Sequence, residues 1–325
     1  MKQSVGTGIR LACDMTFLSR PVLLVPVWGF SLLGYFACLH DQGGGWRILT
    51  VRTADPVTPV WLLVFSSSVA CVYVLNQIAD VAVDRDNPGF ALLSHGGVPM
   101  RAAWPAAAIF AASSMMPVMY GRPVLALLSA AAIILGAAYS FRPSGLSGRP
   151  FADFLANAAG YGIVAFGAGW HLAGGDIATT IFLRAAAPYF LLMCAGSISS
   201  TLPDVDGDRR NGKRTTAVFL GEGRANLLAL VFVTAGLAVA VARRDWAAAV
   251  CAAAAWPLYI LYAFYRTRTI MEAVYKVGGA ACMGVAGLLY PPLIAAGILI
   301  FYATRLYFKY RFNIAYPSLL PARRA

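Results

Sequence analysis

The chain has 325 residues, of which 59% are hydrophobic and only 12% charged, and it carries a formal net charge of +12. A soluble domain has about 25% charged residues, so this composition excludes a water-soluble globule. It points to an integral membrane protein whose length is spent on spans.

The apolar runs are about 20 residues long and lack the alternation of a barrel strand, so the fold class is all-α and polytopic. The first run starts near Pro21, is span-length and lacks a small-residue cleavage site, so no cleavable signal peptide is expected. Spans are predicted at 21–39, 57–79, 103–120, 122–140, 151–171, 180–200, 225–242 and 246–265. The final stretch, 271–308, is too long for one crossing. As a helix it would measure about 55 Å, against a hydrocarbon core of about 30 Å. Tyr290-Pro291-Pro292 in its middle is a natural break, which gives nine or ten passes in all. With a cytoplasmic N-terminus and ten passes, twenty of the twenty-six Lys and Arg residues fall in inside segments. Residues 308–325, the end of RLYFKYRFNIAYPSLLPARRA, read as an interfacial tail on a single membrane domain covering 1–325. The basic excess reads as topology plus attraction to membrane lipids and phosphate. It does not read as nucleic-acid binding, because no basic stripe interleaved with aromatics is present. The six cysteines show no paired or metal-like spacing, and His40, His95 and His171 are scattered, which argues against a His-based metal site or a haem.

Six of the fourteen acidic residues sit in two short segments, each at the mouth of an apolar span. Asp80, Asp84 and Asp86 lie in NQIADVAVDRDN after span two; Asp204, Asp206 and Asp208 lie in TLPDVDGDRRNGKRTT after span six. Residues four apart share a helix face, so Asn76, Asp80 and Asp84 line one side of a helix end, and Asp204 and Asp208 repeat the pair. Two facing carboxylate ladders repel unless cations sit between them. Oxygen ligands without His or Cys select a hard ion, and Mg²⁺ keeps waters and shares substrate phosphates. Two such walls therefore suggest Mg²⁺ clamping a diphosphate, with Arg85, Arg209, Arg210, Lys213 and Arg214 beside them as donors to the departing charge. A single DxxxD is more often a solvated cap. Two of them, both leaving apolar spans on the same side and both beside Arg, reverse those odds.

NQIADVAVD resembles the NxxxDxxxD signature of the UbiA superfamily of intramembrane prenyltransferases, and PDVDGDRRNGKRTTAV resembles its second motif, PDxEGDxxxGxxTLAV. The resemblance implies an all-helical membrane enzyme, usually with nine helices around a central cavity. It implies Mg²⁺ held by the Asp motifs, ionisation of a prenyl diphosphate, and capture of the allylic cation by a lipophilic acceptor, aromatic or isoprenoid. By that likeness Asn76, Asp80 and Asp84 hold one side of the metal and diphosphate, and Asp204 and Asp208 the other. Arg20, in SRPVLL, matches an Arg-Pro that touches the diphosphate; Tyr139, in AAYSFRP, matches a catalytic Tyr; Asn157, in FLANAAG, matches a polar residue facing the cavity. Departures from the pattern are equally plain. Thr201 stands where members often carry an Asp. Pro143 replaces a Lys, leaving Arg142 or Arg149 to act for it, and NPGFALLSHGG replaces RPxxSG, leaving Arg85 or Arg101. Lys213 and Arg214 complete the expected diphosphate contacts, in a site facing the cytoplasm of a bacterial-type inner membrane.

A membrane terpene cyclase would use the same clamp and quench the cation internally. A cation-coupled transporter would instead place carboxylates near the bilayer midplane on broken helices; these lie at span ends. Among smaller signals, the glycine-rich AGYGIVAFGAG (159–169) reads as close helix packing before it reads as a phosphate loop. Trp28, Tyr73, Tyr161, Trp170 and Tyr189 are open between packing and cation–π contact. Asp153 reads as an N-terminal helix charge on the side of the site. Arg184, inside span six, takes no role.

Overall fold

A computed structural model describes residues 2–44, 55–81, 92–94 and 97–317, with side chains from Arg10 onward. Regular structure among them is entirely helical. A lone helix, α1 (Lys2–Leu18), precedes the bundle. It is followed by α2 (Pro21–Leu39), α3 (Thr58–Ala79), α4 (Met100–Ser114) and α5 (Pro123–Ser140). The next segment is interrupted: α6 (Ala152–Ala159) passes through a π turn at Gly160–Ala165 into α7 (Phe166–Leu172). Then come α8 (Thr180–Thr201), two short helices α9 (Val205–Arg210) and α10 (Thr216–Leu220), and the long α11 (Glu222–Ala242), α12 (Trp246–Tyr265), α13 (Arg268–Leu289) and α14 (Pro292–Phe312). Proline opens α2, α3, α5 and α14 within their first two positions, where its missing N–H costs nothing.

Eight of these segments are long and apolar enough to cross a membrane. The interrupted segment 152–172 and α13 bring the described bundle to ten. No single piece of the first is span-length, and the second carries Arg268, Glu272 and Lys276 in its first turns as an i, i+4 ion-pair ladder of 3.3 and 2.8 Å. The chain does break at Tyr290, and the stretch too long for one crossing forms two helices, α13 and α14. The predicted span 103–120 instead stops at Ser114 and tightens into a 3₁₀ turn over Met116–Tyr120, where Pro117 cannot continue the α-helical ladder.

Glycine sets the closest approaches. A Cβ at Gly169 would lie 1.6 Å from the Ser31 carbonyl oxygen, and one at Gly34 would lie 2.0 Å from that of Phe166, so α2 and α7 touch backbone to backbone. A Cβ at Gly162 would fall 2.6 Å from the Phe190 Cα on α8. The stretch 159–169 is thus a helix contact surface. Apolar side chains gather in three clusters: one among α2, α3, α5, α7 and α8 around Phe30, Phe65 and Phe166; one among α8, α11, α12 and α13 around Ile198, Val233 and Tyr259; and one around Leu18, Val74, Leu93, Val98 and Phe308 where α1, α3, α4 and α14 meet.

Candidate active site

The first acidic segment leaves α3 as a cap. Asp80 departs from helical geometry (φ −97°, ψ 6°) while its N–H still bonds to the Asn76 carbonyl at 2.9 Å. The Asn76 amide nitrogen donates to Asp80 Oδ2 at 2.9 Å and to Ser140 Oγ at 3.4 Å. Both amide protons are committed, so the carbonyl oxygen is what Asn76 has to offer a cation. Asp84 and Arg85 lie outside the described residues.

The second segment differs from its expected form. α8 ends at Thr201, the chain tightens through a 3₁₀ turn at Leu202–Asp204, and α9 restarts at Val205. Pro203 supplies no N–H at that turn, so Asp204 becomes the cap of α9 and Asp208 sits within it; the pair does not share one unbroken helix. Lys213 N–H donates to the Asp208 carbonyl at 2.9 Å, and the Lys213 ammonium acts electrostatically on both Asp204 and Asp208.

Asp153 holds this loop down. It is buried at 2% exposure and accepts from the Thr216 N–H at 2.7 Å and from the Thr216 hydroxyl. Thr216 Oγ1 in turn accepts from the Phe151 N–H at 2.7 Å, and the Arg214 N–H reaches the Gly148 carbonyl at 3.2 Å. Asp153 does stand in the first turn of α6, as a helix N-terminal charge would, and it is also a buried latch between the α5–α6 connection and the second acidic segment. No local signal could have revealed it, because the partners are 63 residues apart.

The two acidic segments converge on Tyr139. Its hydroxyl accepts from the Asn157 amide at 3.3 Å and lies in electrostatic range of Asp153, Asp80 and Asp208 together. Arg20, half-buried between α1 and α2, acts likewise on Tyr73. The Tyr73 hydroxyl bonds the Leu23 carbonyl at 3.1 Å and the Tyr161 hydroxyl at 3.2 Å. The other expected basic groups are turned elsewhere or stand in the open. Arg149 donates to the Pro143 carbonyl, Arg214 lies 5.8 Å from the Phe219 ring centroid, and Arg142 is exposed.

Two cavities adjoin this rim. A smaller one, about 130 Å³, lies among α2, α3, α5 and α6, with Val27, Phe65, Val69 and Leu135 above Tyr139. A larger one, about 380 Å³, lies among α2, α8, α12 and α13, where Gly196, Ser200, Tyr259 and Gly279 face it. Asn157 and Tyr161 line both and form the wall between them. Among the described residues no three Asp, Glu, His or Cys side chains close into a metal cage. The rim instead offers oxygen donors on two walls (Asn76, Asp80, Asp204 and Asp208), which fits a hard cation that completes its shell with water and substrate phosphate.

The family model for UbiA prenyltransferases matches residues 47–273. The chain belongs to the UbiA prenyltransferase family. Among its relatives, a probable homogentisate phytyltransferase 2 from Oryza sativa is 27% identical over 237 residues, 67% of this chain and 58% of that protein. A decaprenyl-phosphate phosphoribosyltransferase from Mycobacterium tuberculosis is 30% identical over 173 residues, 53% of each chain. The matched region thus spans little more than half the length of these curated relatives. The fold is that of a UbiA homologue from Archaeoglobus fulgidus solved with GPP and Mg²⁺, at a TM-score of 0.64 and 22% identity over 88% of this chain and 99% of that one. A second homologue, from Aeropyrum pernix K1, gives a TM-score of 0.56 at 20% identity over 85% of this UbiA-family chain and 97% of its own.

Proposed function

We propose that this protein is a Mg²⁺-dependent prenyltransferase that moves a prenyl group from a prenyl diphosphate to a lipophilic acceptor, aromatic or isoprenoid. The observation that carries the reading is the convergence of Asp80 and Asp208, from two separate motifs, on Tyr139, which lines the smaller cavity and is bonded to Asn157 in the wall shared with the larger one. In the proposed site Asn76, Asp80 and Asp84 on one wall, and Asp204 and Asp208 on the other, hold the metal. Bound there, Mg²⁺ neutralises the charge that gathers on the departing diphosphate.

The chain's own groups do the rest. Arg20 and Lys213 donate to the diphosphate, with Arg85 and the exposed Arg142 as secondary basic contacts; Arg149 and Arg214 would reach it only by leaving the Pro143 carbonyl and the Phe219 ring. The allylic C–O bond breaks with its electron pair passing to the diphosphate, and the acceptor then forms its bond to the cation and gives up its own proton to the released diphosphate. Apolar walls keep water from that cation, while the Tyr139 hydroxyl, oriented by Asn157, presents a dipole to it. Two cavities favour a two-substrate transfer over internal cyclisation, and their apolar walls suit a prenyl donor better than a sugar donor. The excess of Lys and Arg in the segments on the same side as the acidic motifs supports a site facing the cytoplasm, and we propose a bacterial-type inner membrane as its location.

The test is release of diphosphate from geranylgeranyl diphosphate by purified protein with and without Mg²⁺. Asp80→Asn and Asp208→Asn should each abolish the Mg²⁺-dependent release while leaving the melting transition in place. Undiminished release from both variants would overturn the mechanism. An acceptor-free hydrocarbon product, detected by mass, would point to the cyclase.

A further inference from the structure

The last helix, α14, is fastened to α1 through a residue pair outside both motifs. Asp14 on α1, buried at 3% exposure, accepts from Arg311 Nε and Nη2 on α14, each at 3.2 Å, and from the Tyr307 hydroxyl. Phe17 stacks on Tyr307 with ring centroids 3.9 Å apart, and Leu18 packs into the cluster that holds Phe308. A carboxylate this buried tolerates its site only when it is paired and hydrogen-bonded, and the guanidinium fork does both.

Directly after this clamp the chain turns. Arg20 adopts φ 52° and ψ 62° before Pro21, a left-handed backbone unfavourable for a residue with a Cβ; such geometry persists where its flanks over-determine it. One flank is the clamp. The other is Gln77, buried at 2% exposure, whose amide donates to the Leu18 carbonyl at 2.8 Å and to the Tyr73 carbonyl at 3.2 Å. Gln77 adjoins Asn76, so the elbow that carries Arg20 and the first acidic wall are mounted on the same turn of α3. Past the end of α14, Tyr316 packs on Phe308 at 4.9 Å and, like Arg20, acts electrostatically on Tyr73.

From these contacts we infer that Asp14 and Arg311 are positioning residues for the donor diphosphate, acting through Arg20, and that α14 is thereby part of the donor site. The inference rests on the proposed function, in which Arg20 meets the diphosphate. α14 pulls on α1, α1 sets the angle of the elbow, and the elbow presents the guanidinium to the rim. A purely structural brace would lower the melting temperature and the amount of active protein. It would not selectively weaken the donor's Michaelis constant.

The experiment measures kcat and KM for Mg²⁺-dependent release of diphosphate from geranylgeranyl diphosphate at saturating Mg²⁺. The proteins compared are the wild type, the Asp14→Asn/Arg311→Gln double variant, Arg20→Gln, and all three changes together. The double variant keeps hydrogen-bonding groups at both positions, and Arg311→Lys, which keeps Asp14 paired while losing the fork, is the companion should the double variant fail to fold. The expected result is a donor KM raised about tenfold in the double variant, the scale of one lost charge-assisted contact, with kcat within about twofold. Arg20→Gln should raise it similarly, and the triple variant should go no further, because coupled residues are not additive. A donor KM unchanged by the clamp variants but raised by Arg20→Gln overturns this inference alone, as does a triple variant in which the two effects multiply. A donor KM that Arg20→Gln leaves unchanged overturns the role of Arg20 in the proposed function, and the inference with it.

Discussion

Asn157 on α6 donates a hydrogen bond of 3.3 Å to the Tyr139 hydroxyl in the last turn of α5, at the point where Asp80, Asp153 and Asp208 all act on that hydroxyl. The bond fixes a polar group on the wall of the smaller cavity, where the proposed cation would form. Tyr139→Phe should lower kcat by about tenfold to a hundredfold, below the largest effects of losing an oriented dipole. It should cost only about 1 kcal/mol of stability, the net worth of one hydrogen bond. Steady-state kinetics paired with a fluorescence-detected melt would separate the two effects; unchanged kcat would remove Tyr139 from the chemistry.

Thr216→Val tests the latch. The replacement has nearly the same shape, yet it leaves one Asp153 oxygen and the Phe151 N–H without the partner that Thr216 Oγ1 supplies. Each buried polar group left unmatched costs about 1–3 kcal/mol. A clear fall in melting temperature is expected, with a larger fall in activity, because the loop carrying Lys213 and bonded to Asp208 loses its anchor. A melt that does not move would contradict the latch.

Glycines of two kinds should respond oppositely. A Cβ at Gly279 or Gly196 meets no atom within 4 Å, and both residues face the larger cavity, so Gly279→Leu should fold normally and shorten the longest substrate accepted. Gly169→Ala should destabilise the bundle, since its Cβ would overlap the Ser31 carbonyl. Product length by mass spectrometry and detergent-solubilised melts give the two readouts, and equal destabilisation by both substitutions would argue against an open cavity at Gly279.

At the opposite end of the bundle from the Asp motifs, burial pushes the Asp245 carboxyl up to about 6. The Ala248 N–H at 3.0 Å and the Tyr189 hydroxyl at 3.1 Å offset part of that, Arg243 offsets a little more, and Asp41, paired with Arg243 at 3.1 Å, works the other way. A carboxyl raised above its unfolded value holds its proton more tightly in the folded state. The folded protein should therefore lose about 3 kcal/mol as pH rises from about 4 to about 6, and stay at that level above. Asp245→Asn keeps an acceptor for Tyr189 and Ala248 and should flatten this part of the profile, melting higher than the wild type at pH 7 and no higher at pH 4. Parallel melting curves for the two proteins across that range would refute it.

Hydrophobic run length and proline placement were enough to locate the spans, including the break at Tyr290-Pro291-Pro292, because bilayer thickness imposes one local rule on every crossing. The clustering of carboxylates at two span ends was legible as well, but their geometry was not: Asp80 caps α3, and Asp204 and Asp208 are separated by the restart of the helix at Val205. What the tertiary structure alone decided were pairings with no local pattern: Asp153 with Thr216, Gln77 with Leu18, and Asp14 with Arg311, the last 297 residues apart. It also decided which basic residues stay at the rim. Arg149 found a turn carbonyl and Arg214 a phenylalanine ring, while Lys213 remained beside Asp204 and Asp208. A long cationic side chain has several partners within its reach, and only the packed surroundings select among them.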